Sequence, residues 1–298
     1  MNAMTETKTN IFKGLSLIDE TFDAKQLPNY RLLLQLGLDG LCCCVLDSAR
    51  NKFVAFENYT FQEIYDYESL CDNLQSFIKD DNLFSRCVRI KNVELIWVNG
   101  KSTFIPNALF DEGNKENYLK FNHTLEKDEA VAIDTLKIID ARNLYTLPSC
   151  VDKTLKSIFK TISIHHYSSS LVESLLGRNK NEKGKKIFVH VQVDHLEVIV
   201  SEGKNLIFYN TFKYQSSEDF IYYVLFVAEQ LKLNPEDMEL ILMGEVEKDS
   251  AIYLMLYKYV RNIKFGERPD GFEYSYKFDS LPKHFYYNLF SQSILANN

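Results

Sequence analysis

Three places in the chain carry residue types that could do chemistry. The stretch LQLGLDGLCCCVLD, Leu34 to Asp47, sets three adjacent cysteines just after an Asp-Gly turn, a composition suited to metal or thiol redox work. His165 and His166 offer two neighbouring imidazoles, and His190, Gln192 and Asp194 alternate along a single segment. Asp39 and Asp194 each stand at a turn between two apolar runs.

The bland reading competes with the chemical one at each place. All six cysteines (Cys42, Cys43, Cys44, Cys71, Cys87, Cys150) lack the paired C-x-x-C spacing of a zinc site. Side chains alternate along a strand, so Cys42 and Cys44 point one way and Cys43 the other, and the three cannot converge on a metal. The expectation is reduced thiols, buried, with no metal bound. His165 and His166 have no carboxylate or cysteine at ligand spacing and read as polar residues at a strand end. His190, Gln192 and Asp194 share one strand face. Such a polar ridge needs partners or water, so it is either a small-molecule contact or a self-satisfied hydrogen-bond row, the second being the expectation. Near the C-terminus, Tyr274, Tyr276 and Phe278 alternate like a strand while Phe285, Leu289 and Phe290 share a helix face; core closure is favoured over a partner-binding patch. No Gly-x-Ser-x-Gly, P-loop, H-E-x-x-H or G-x-G-x-x-G pattern occurs.

The elements that must position these residues repeat. YRLLLQLGLDGLCCCVLDSARNKFVAFENYTF reads as strand, turn, strand, turn, strand, and the helix DYESLCDNLQSFIKDD follows with Asp66 as N-cap. CVRIKNVELIWVNG returns to strand, and TFIP is extended. The same order recurs in KKIFVHVQVDHLEVIVSEGKNLIFYNTFKY. There the helix SSEDFIYYVLFVAEQLKLNP has capping-box spacing at Ser216 and Asp219 and Pro235 beyond its end. DMELILMGEV is the next strand and DSAIYLMLYKYVRN the next helix. Side by side, Asp39 matches Asp194, NYTF (58–61) matches YNTF (209–212), and VELIWVNG matches MELILMGE, which predicts an internal duplication of a βββαβ unit. Between the halves, AIDTLKIIDARNLYTLP is extended, SCVDKTLKSIFK helical, ISIHH a short strand, and SSSLVESLLG a helix closed by Gly177. The polar run RNKNEKGKK is the best linker and places the boundary near Asn181, giving domains of 1–180 and 181–298.

The totals narrow the function classes. A chain of 298 residues has room for two domains, and its net charge of −7 argues against a nucleic-acid footprint, which needs a basic face. The longest apolar run, Phe220 to Ala228, is far short of the ~20 residues that span a bilayer, and MNAMTETKTNIFKG has no apolar signal core. A cytoplasmic location with no membrane span and no nucleic acid is expected. A nuclease on such lobes would need several carboxylates clustered on one sheet and a basic stripe.

A duplicated βββαβ unit with an aspartate at each first hairpin resembles the actin-like ATPase superfamily. LGLDGLCCCVLD, TFIPNALFDE, NYLKFNH, NLYTLP, YNTFKYQSSEDFIYYVLFVAEQL and YVRNIKF together resemble the uncharacterised bacterial domain-of-unknown-function family 3822, from about Ile18 to Phe290. The resemblance implies two RNase H-like (βββαβα) lobes with a cleft between them. In active members, small and hydroxyl residues at each hairpin expose backbone N–H groups to the nucleotide phosphates, and the carboxylates act through Mg²⁺ or a water. Carried over, Asp39-Gly40 falls at the first phosphate loop, Asp194 at the second, and Gly244 at the adenosine strand. This chain departs from that pattern: Leu41 and Cys42 follow the first turn, His195, Leu196 and Glu197 the second, and Glu245 breaks the glycine pair. The helix–strand–helix piece from Ser149 to Gly177 is also similar to the cytoplasmic actin-like subunits of pilus and secretion machines, several of which act mainly as assembly scaffolds. The expectation is a protein-binding or scaffold module with a degenerate nucleotide cleft and no cofactor; the alternative is a Mg-dependent ATPase using Asp39 and Asp194.

Overall fold

The computed structural model describes residues 10–80 and 82–295, and the chain divides into two compact units. The first takes the residues up to Thr135 with Arg142–Ser169 and Gly271–Asp279; the second takes Leu136–Ala141, Ser170–Asp270 and the residues from Ser280 on.

The first unit is built on β1 (Ile11–Ile18), β2 (Tyr30–Leu36), β3 (Gly40–Asp47) and β4 (Lys52–Phe61), then α1 (Tyr67–Phe77), α2 (Leu83–Cys87) and β5 (Asn92–Trp97). An insertion follows: β6 (Ser102–Pro106), α3 (Lys115–Lys120), β7 (Glu129–Leu136) and β8 (Ala141–Pro148). After it come α4 (Ser149–Ile158), β9 (Ser163–His166) and the start of α5 (Tyr167–Asn179). The main sheet runs β1-β4-β3-β2-β5-β9, antiparallel from β1 to β2 and parallel from β2 to β9; β6, β8 and β7 form a separate three-stranded sheet. β2 and β3 have no polar alternation because both their faces are covered: Leu32, Leu33, Leu34, Cys43, Cys44 and Val45 are all fully buried. One face packs on Leu70, Leu74 and Phe77 of α1 and on Val151 and Leu155 of α4. Asp66 caps α1, accepting from Ser69 N at 2.7 Å.

The second unit holds β10 (Lys185–Val191), β11 (His195–Glu202), β12 (Asn205–Lys213), α6 (Ser217–Gln230), β13 (Glu239–Gly244), α7 (Ala251–Tyr259) and β14 (Asn262–Phe265), in sheet order β12-β11-β10-β13-β14. β15 (Glu273–Tyr274) returns to the first unit and pairs with β4, and α8 (Tyr287–Leu295) closes the second. The core strands β4-β3-β2-β5-β9 and β12-β11-β10-β13-β14 share one order and one pattern of strand direction.

Register decides how the two sheets correspond. Leu36 pairs with Leu41 around Asp39, and Val191 pairs with Leu196 around Asp194, so the two aspartates hold the same hairpin position. Matching them also aligns two β-bulges, at Val45/Leu46 in one sheet and Val200/Ser201 in the other. Tyr59, opposite Leu41, then corresponds to Phe212, opposite Leu196, which sets NYTF against TFKY (211–214) rather than YNTF. The same slip of two residues separates VELIWVNG from MELILMGE, because Trp97 pairs with Leu36 where Gly244 pairs with Val191. A slip of two keeps every side chain on its face, so the apolar pattern alone could not detect it.

Other expectations change as well. α5 runs through Gly177 to Asn179, since Gly177 keeps helical backbone without positive φ. Leu175, Arg178 and Asn179 of α5 line one hollow with Phe188, Ile241 and Met243, which places Ser170–Asn179 with the second unit, ahead of the expected boundary at Asn181. Only Glu273–Tyr274 of the C-terminal aromatic run is strand; Tyr276–Ser280 is a 3₁₀ turn. Leu289 and Phe290 are fully buried, as core closure requires.

Candidate functional site

The two hairpin tips are tight. Gly37 N donates to Gly40 O at 3.0 Å, leaving Leu38-Asp39 as a two-residue tip, and Phe61 N donates to the Asp39 carbonyl at 2.8 Å. Asp39 is exposed. A side chain at Gly40 would come 2.6 Å from the Tyr59 carbonyl oxygen, so close strand approach requires this glycine. In the second unit Gln192 N donates to His195 O at 2.9 Å and Tyr214 N to Asp194 O at 3.2 Å, the same construction with Val193-Asp194 at the tip.

Behind the second tip lies a row of charge. Asp194, 71% exposed, sets Oδ1 2.6 Å from His195 Nδ1. His195 Nε2 lies 2.9 Å from Glu197 Oε1, within ion-pair distance although not aligned for a hydrogen bond. Nδ1 of the buried His190, the cross-strand partner of Glu197, donates to Glu197 Oε2 at 2.7 Å. Tyr214 OH donates to Gln192 O at 2.6 Å. Burial by itself would raise the Glu197 carboxyl, but the His195 charge and the hydrogen bond from His190 hold it down at about 2. Burial likewise opposes charge on His195, and Glu197 and Asp194 outweigh it, lifting the imidazole to about 10. The hydrogen bond from His195 lowers Asp194. His190 and Asp194, chosen from the sequence, belong to this row; Glu197 completes it from the neighbouring strand.

Gly244 stands beside the same hairpin, paired with Val191 at the end of β13. Its φ is +90°, and a Cβ there would land on the Val191 carbonyl oxygen, so only glycine fits. Its N–H is taken: it donates to His284 O at 3.0 Å, and His284 Nε2 donates to Val246 O at 2.7 Å. Asp194 and Gly244 therefore both belong to the second unit, while Asp39 and Gly40 belong to the first.

A second polar network, of which the sequence reading singled out only the histidines, lies in the first unit. Asp134 accepts from His165 Nδ1 (3.0 Å), His166 N (2.8 Å) and Ser169 Oγ (2.6 Å). His166 Nδ1 accepts from Ser168 Oγ at 2.7 Å, and Nε2 donates to Asn99 O at 3.1 Å. Asn143 Nδ2 reaches Ser168 Oγ at 2.9 Å and Ser169 Oγ at 2.8 Å. The bond to Asp134 raises His165. Ser168 and His166 have the contact of a nucleophile and its base, but both are fully buried, so no substrate reaches them. The network ties β7, β8, β9 and the start of α5 together. Its sequence trace is the polar run SIHHYSSS at a strand-to-helix joint. His166 is thus a buried tie rather than an edge residue. Among the described residues no group of three His, Cys, Asp or Glu could hold a metal ion. Cys43 and Cys44 are buried and Cys42 is partly so, and none of the three is in a disulfide.

The family profile described as "Protein of unknown function (DUF3822)" matches residues 19–263. The chain belongs to this family. It also has the actin-like ATPase fold. A Bacteroides thetaiotaomicron protein with actin-like ATPase fold and unknown function superposes with a TM-score of 0.72 at 22% identity, over 82% of this chain and 93% of that one. A chain of a PilM-PilN type IV pilus biogenesis complex superposes with a TM-score of 0.59 at 11% identity, over 88% of this chain and 98% of that one. No curated protein matches the chain. Among the described residues no helix is long and apolar enough to cross a membrane.

Proposed function

We propose that this member of the DUF3822 family is a cytoplasmic protein-binding or scaffold module whose nucleotide site is degenerate. The observation that carries the reading is the His190–Glu197–His195–Asp194 row behind the second hairpin tip. A phosphate loop works through small residues that present several backbone N–H groups to an anion. Here a two-residue tip leaves little backbone to present, and a buried carboxylate stands behind it, already answered by two imidazoles. At the adenosine strand, the Gly244 N–H is engaged by the chain's own His284 carbonyl. Each charge-assisted hydrogen bond missing from a nucleotide site forfeits roughly 1.5–3 kcal/mol, so the loss of several removes useful affinity. The PilM-PilN complex supports a partner-holding role, since an actin-like chain is there assembled with another protein. The partner itself is a protein; the net charge of −7 disfavours nucleic acid.

Calorimetry with ATP and ADP in the presence of Mg²⁺, beside Asp39→Ala and Asp194→Ala, tests the reading. Weak or absent binding and no turnover above background are expected. Micromolar binding abolished by either substitution would replace the scaffold by a Mg-dependent ATPase.

A further inference from the structure

We infer that the second unit carries a pocket for a free α-amino acid with a large apolar side chain, its carboxylate on Arg178, its ammonium on Glu182 and its side chain on the sheet. The backbone places the walls. Phe188 of β10, Ile241 of β13 and Lys264 of β14 pair in one row across three strands, so their side chains leave the sheet on one face. The opposite face carries Ile187, Val189, Leu240 and Leu242, which belong to the core of the unit. Leu175, Arg178 and Asn179 stand at i, i+3 and i+4 on α5, a single helix face, and close the hollow from above that row. The space is about 310 Å³, at the small end of the roughly 300–1,000 Å³ that ligand pockets occupy. Phe188 and Met243, both fully buried, give it an apolar floor.

The charges around the floor decide the ligand. Arg178 Nη1 donates to Glu267 O at 2.7 Å, and the guanidinium lies 5.9 Å from the centre of the Tyr287 ring, so the fork is held in place. Nη2 donates to Asp270 Oδ2 at 3.2 Å, but that carboxylate is 90% exposed. An exposed pair of this kind contributes only about 0–1 kcal/mol, and a ligand carboxylate can take its place on the fork. Glu182 is met by Lys186 at 3.2 Å, a lysine it shares with Glu239 at 3.4 Å, which leaves Glu182 with charge to offer an ammonium.

Both signs thus line the hollow, Arg178 and Lys264 against Glu182, Glu267 and Asp270. A simple anion would leave the acidic side unanswered and a simple cation the basic side, whereas a zwitterion answers both. The rings of Phe188 and Phe265 suit an aromatic side chain above the floor. Neither Gly244 nor the tip residues Val193 and Asp194 line this hollow, so the pocket stands or falls apart from the nucleotide reading.

Calorimetry on the full chain with L-phenylalanine as the probe tests this, beside 3-phenylpropionate, which lacks the ammonium, and phenethylamine, which lacks the carboxylate. Saturable binding of L-phenylalanine is expected, with each analogue weaker by roughly tenfold or more for the charge-assisted bonds it forfeits. Arg178→Gln should weaken L-phenylalanine and 3-phenylpropionate by that factor and leave phenethylamine unchanged. Glu182→Gln should weaken L-phenylalanine and phenethylamine and leave 3-phenylpropionate unchanged. A variant that merely unfolded would lose all three ligands, and the exposed Glu182 can be replaced even where Arg178→Gln fails to fold. Absence of saturable binding, equal affinity for the three compounds, or binding indifferent to Glu182→Gln would each overturn the pocket.

Discussion

A carboxylate with no exposed surface keeps its charge only while both its oxygens are answered, and Glu197 is such a group. Removing its charge with Glu197→Gln strands two imidazoles, and breaking a buried pair of this kind costs about 3–5 kcal/mol. The pH dependence has two limbs. Glu197, whose folded value is depressed, contributes above its ordinary 4.5 and loses that contribution as pH falls toward about 2. His195, whose folded value is raised, contributes below its ordinary 6.5 and loses that contribution as pH climbs toward about 10. Thermal melts should therefore give a highest Tm between those ordinary values, declining on both sides, and Glu197→Gln should lower the maximum and flatten both limbs. An unchanged profile in the variant would place the linkage elsewhere. Gly244 makes a separate residue-scale prediction. Gly244→Ala combines positive-φ strain of roughly 1–3 kcal/mol with a clash against the Val191 carbonyl, so the second unit should lose about 3 kcal/mol or more in urea melts. His190 and Asp194 were visible in the sequence as one strand face. Glu197 was visible only as an obstruction to phosphate, because its role depends on cross-strand register.

Element boundaries followed the apolar pattern wherever burial imposed one. The hairpins β2–β3 and β10–β11, the cap at Asp66 and the cap at Ser216, which accepts from Asp219 N at 3.1 Å, were all legible for that reason. β1 was not. Only Ile11 and Leu17 of its residues are buried, so it carries neither alternation nor an apolar run. Beside its backbone pairing with β4, a buried group on that strand ties it down: Glu57 takes Lys13 Nζ and Ser16 Oγ from β1, as well as Tyr59 OH and Leu83 N. These partners keep the Glu57 carboxyl below its usual range even though burial opposes that. Glu57→Gln loses the ion pair but can still accept from Leu83 N and Tyr59 OH, so a global cost of about 1–2 kcal/mol is expected. The local effect should be larger. Amide exchange at Leu17 and Ile18 should accelerate in the variant while β2 and β3 stay protected, and equal acceleration in all three strands would refute the anchoring role. The position matching Glu57 in the second sheet is Asn210, opposite Val198 as Glu57 is opposite Cys43, and there the outer strand β12 has no neighbour among the described residues.

At the scale of the molecule the sequence pattern reached the fold class, because two successive βββαβ patterns leave few ways to build a sheet. It did not reach the path of the chain's end. Residues 271–279 run far from the first unit in sequence yet complete its core, and no periodicity announces such a return. Phe53 stacks on Tyr274 at 5.0 Å and meets Phe272 at 5.4 Å, while Phe56 meets Phe278 at 6.5 Å. Phe53 and Phe56 have no exposed surface in the folded chain. A fragment ending at Lys180, at the linker that composition suggests, would leave both rings bare on β4 and remove the pairing partner of Lys52 and Phe53. Burying a Phe contributes about 1.5–3 kcal/mol, so baring two rings forfeits a large fraction of a typical domain's 5–15 kcal/mol. The fragment 1–180 should therefore bind a hydrophobic dye and aggregate. The same fragment extended by a flexible linker into residues 270–280 should recover a cooperative melt, even without the second unit. A well-folded fragment 1–180, with the near-ultraviolet signature of packed aromatics, would show that β15 and Phe278 are covering rather than completing the core. Residues 181–298 contain β10 to β14 and α8, but lack the segment of α5 with Leu171, Leu175 and Leu176, all buried in the intact chain. That fragment should fold only when its start is moved back to Ser170, the point where the second unit takes up the chain.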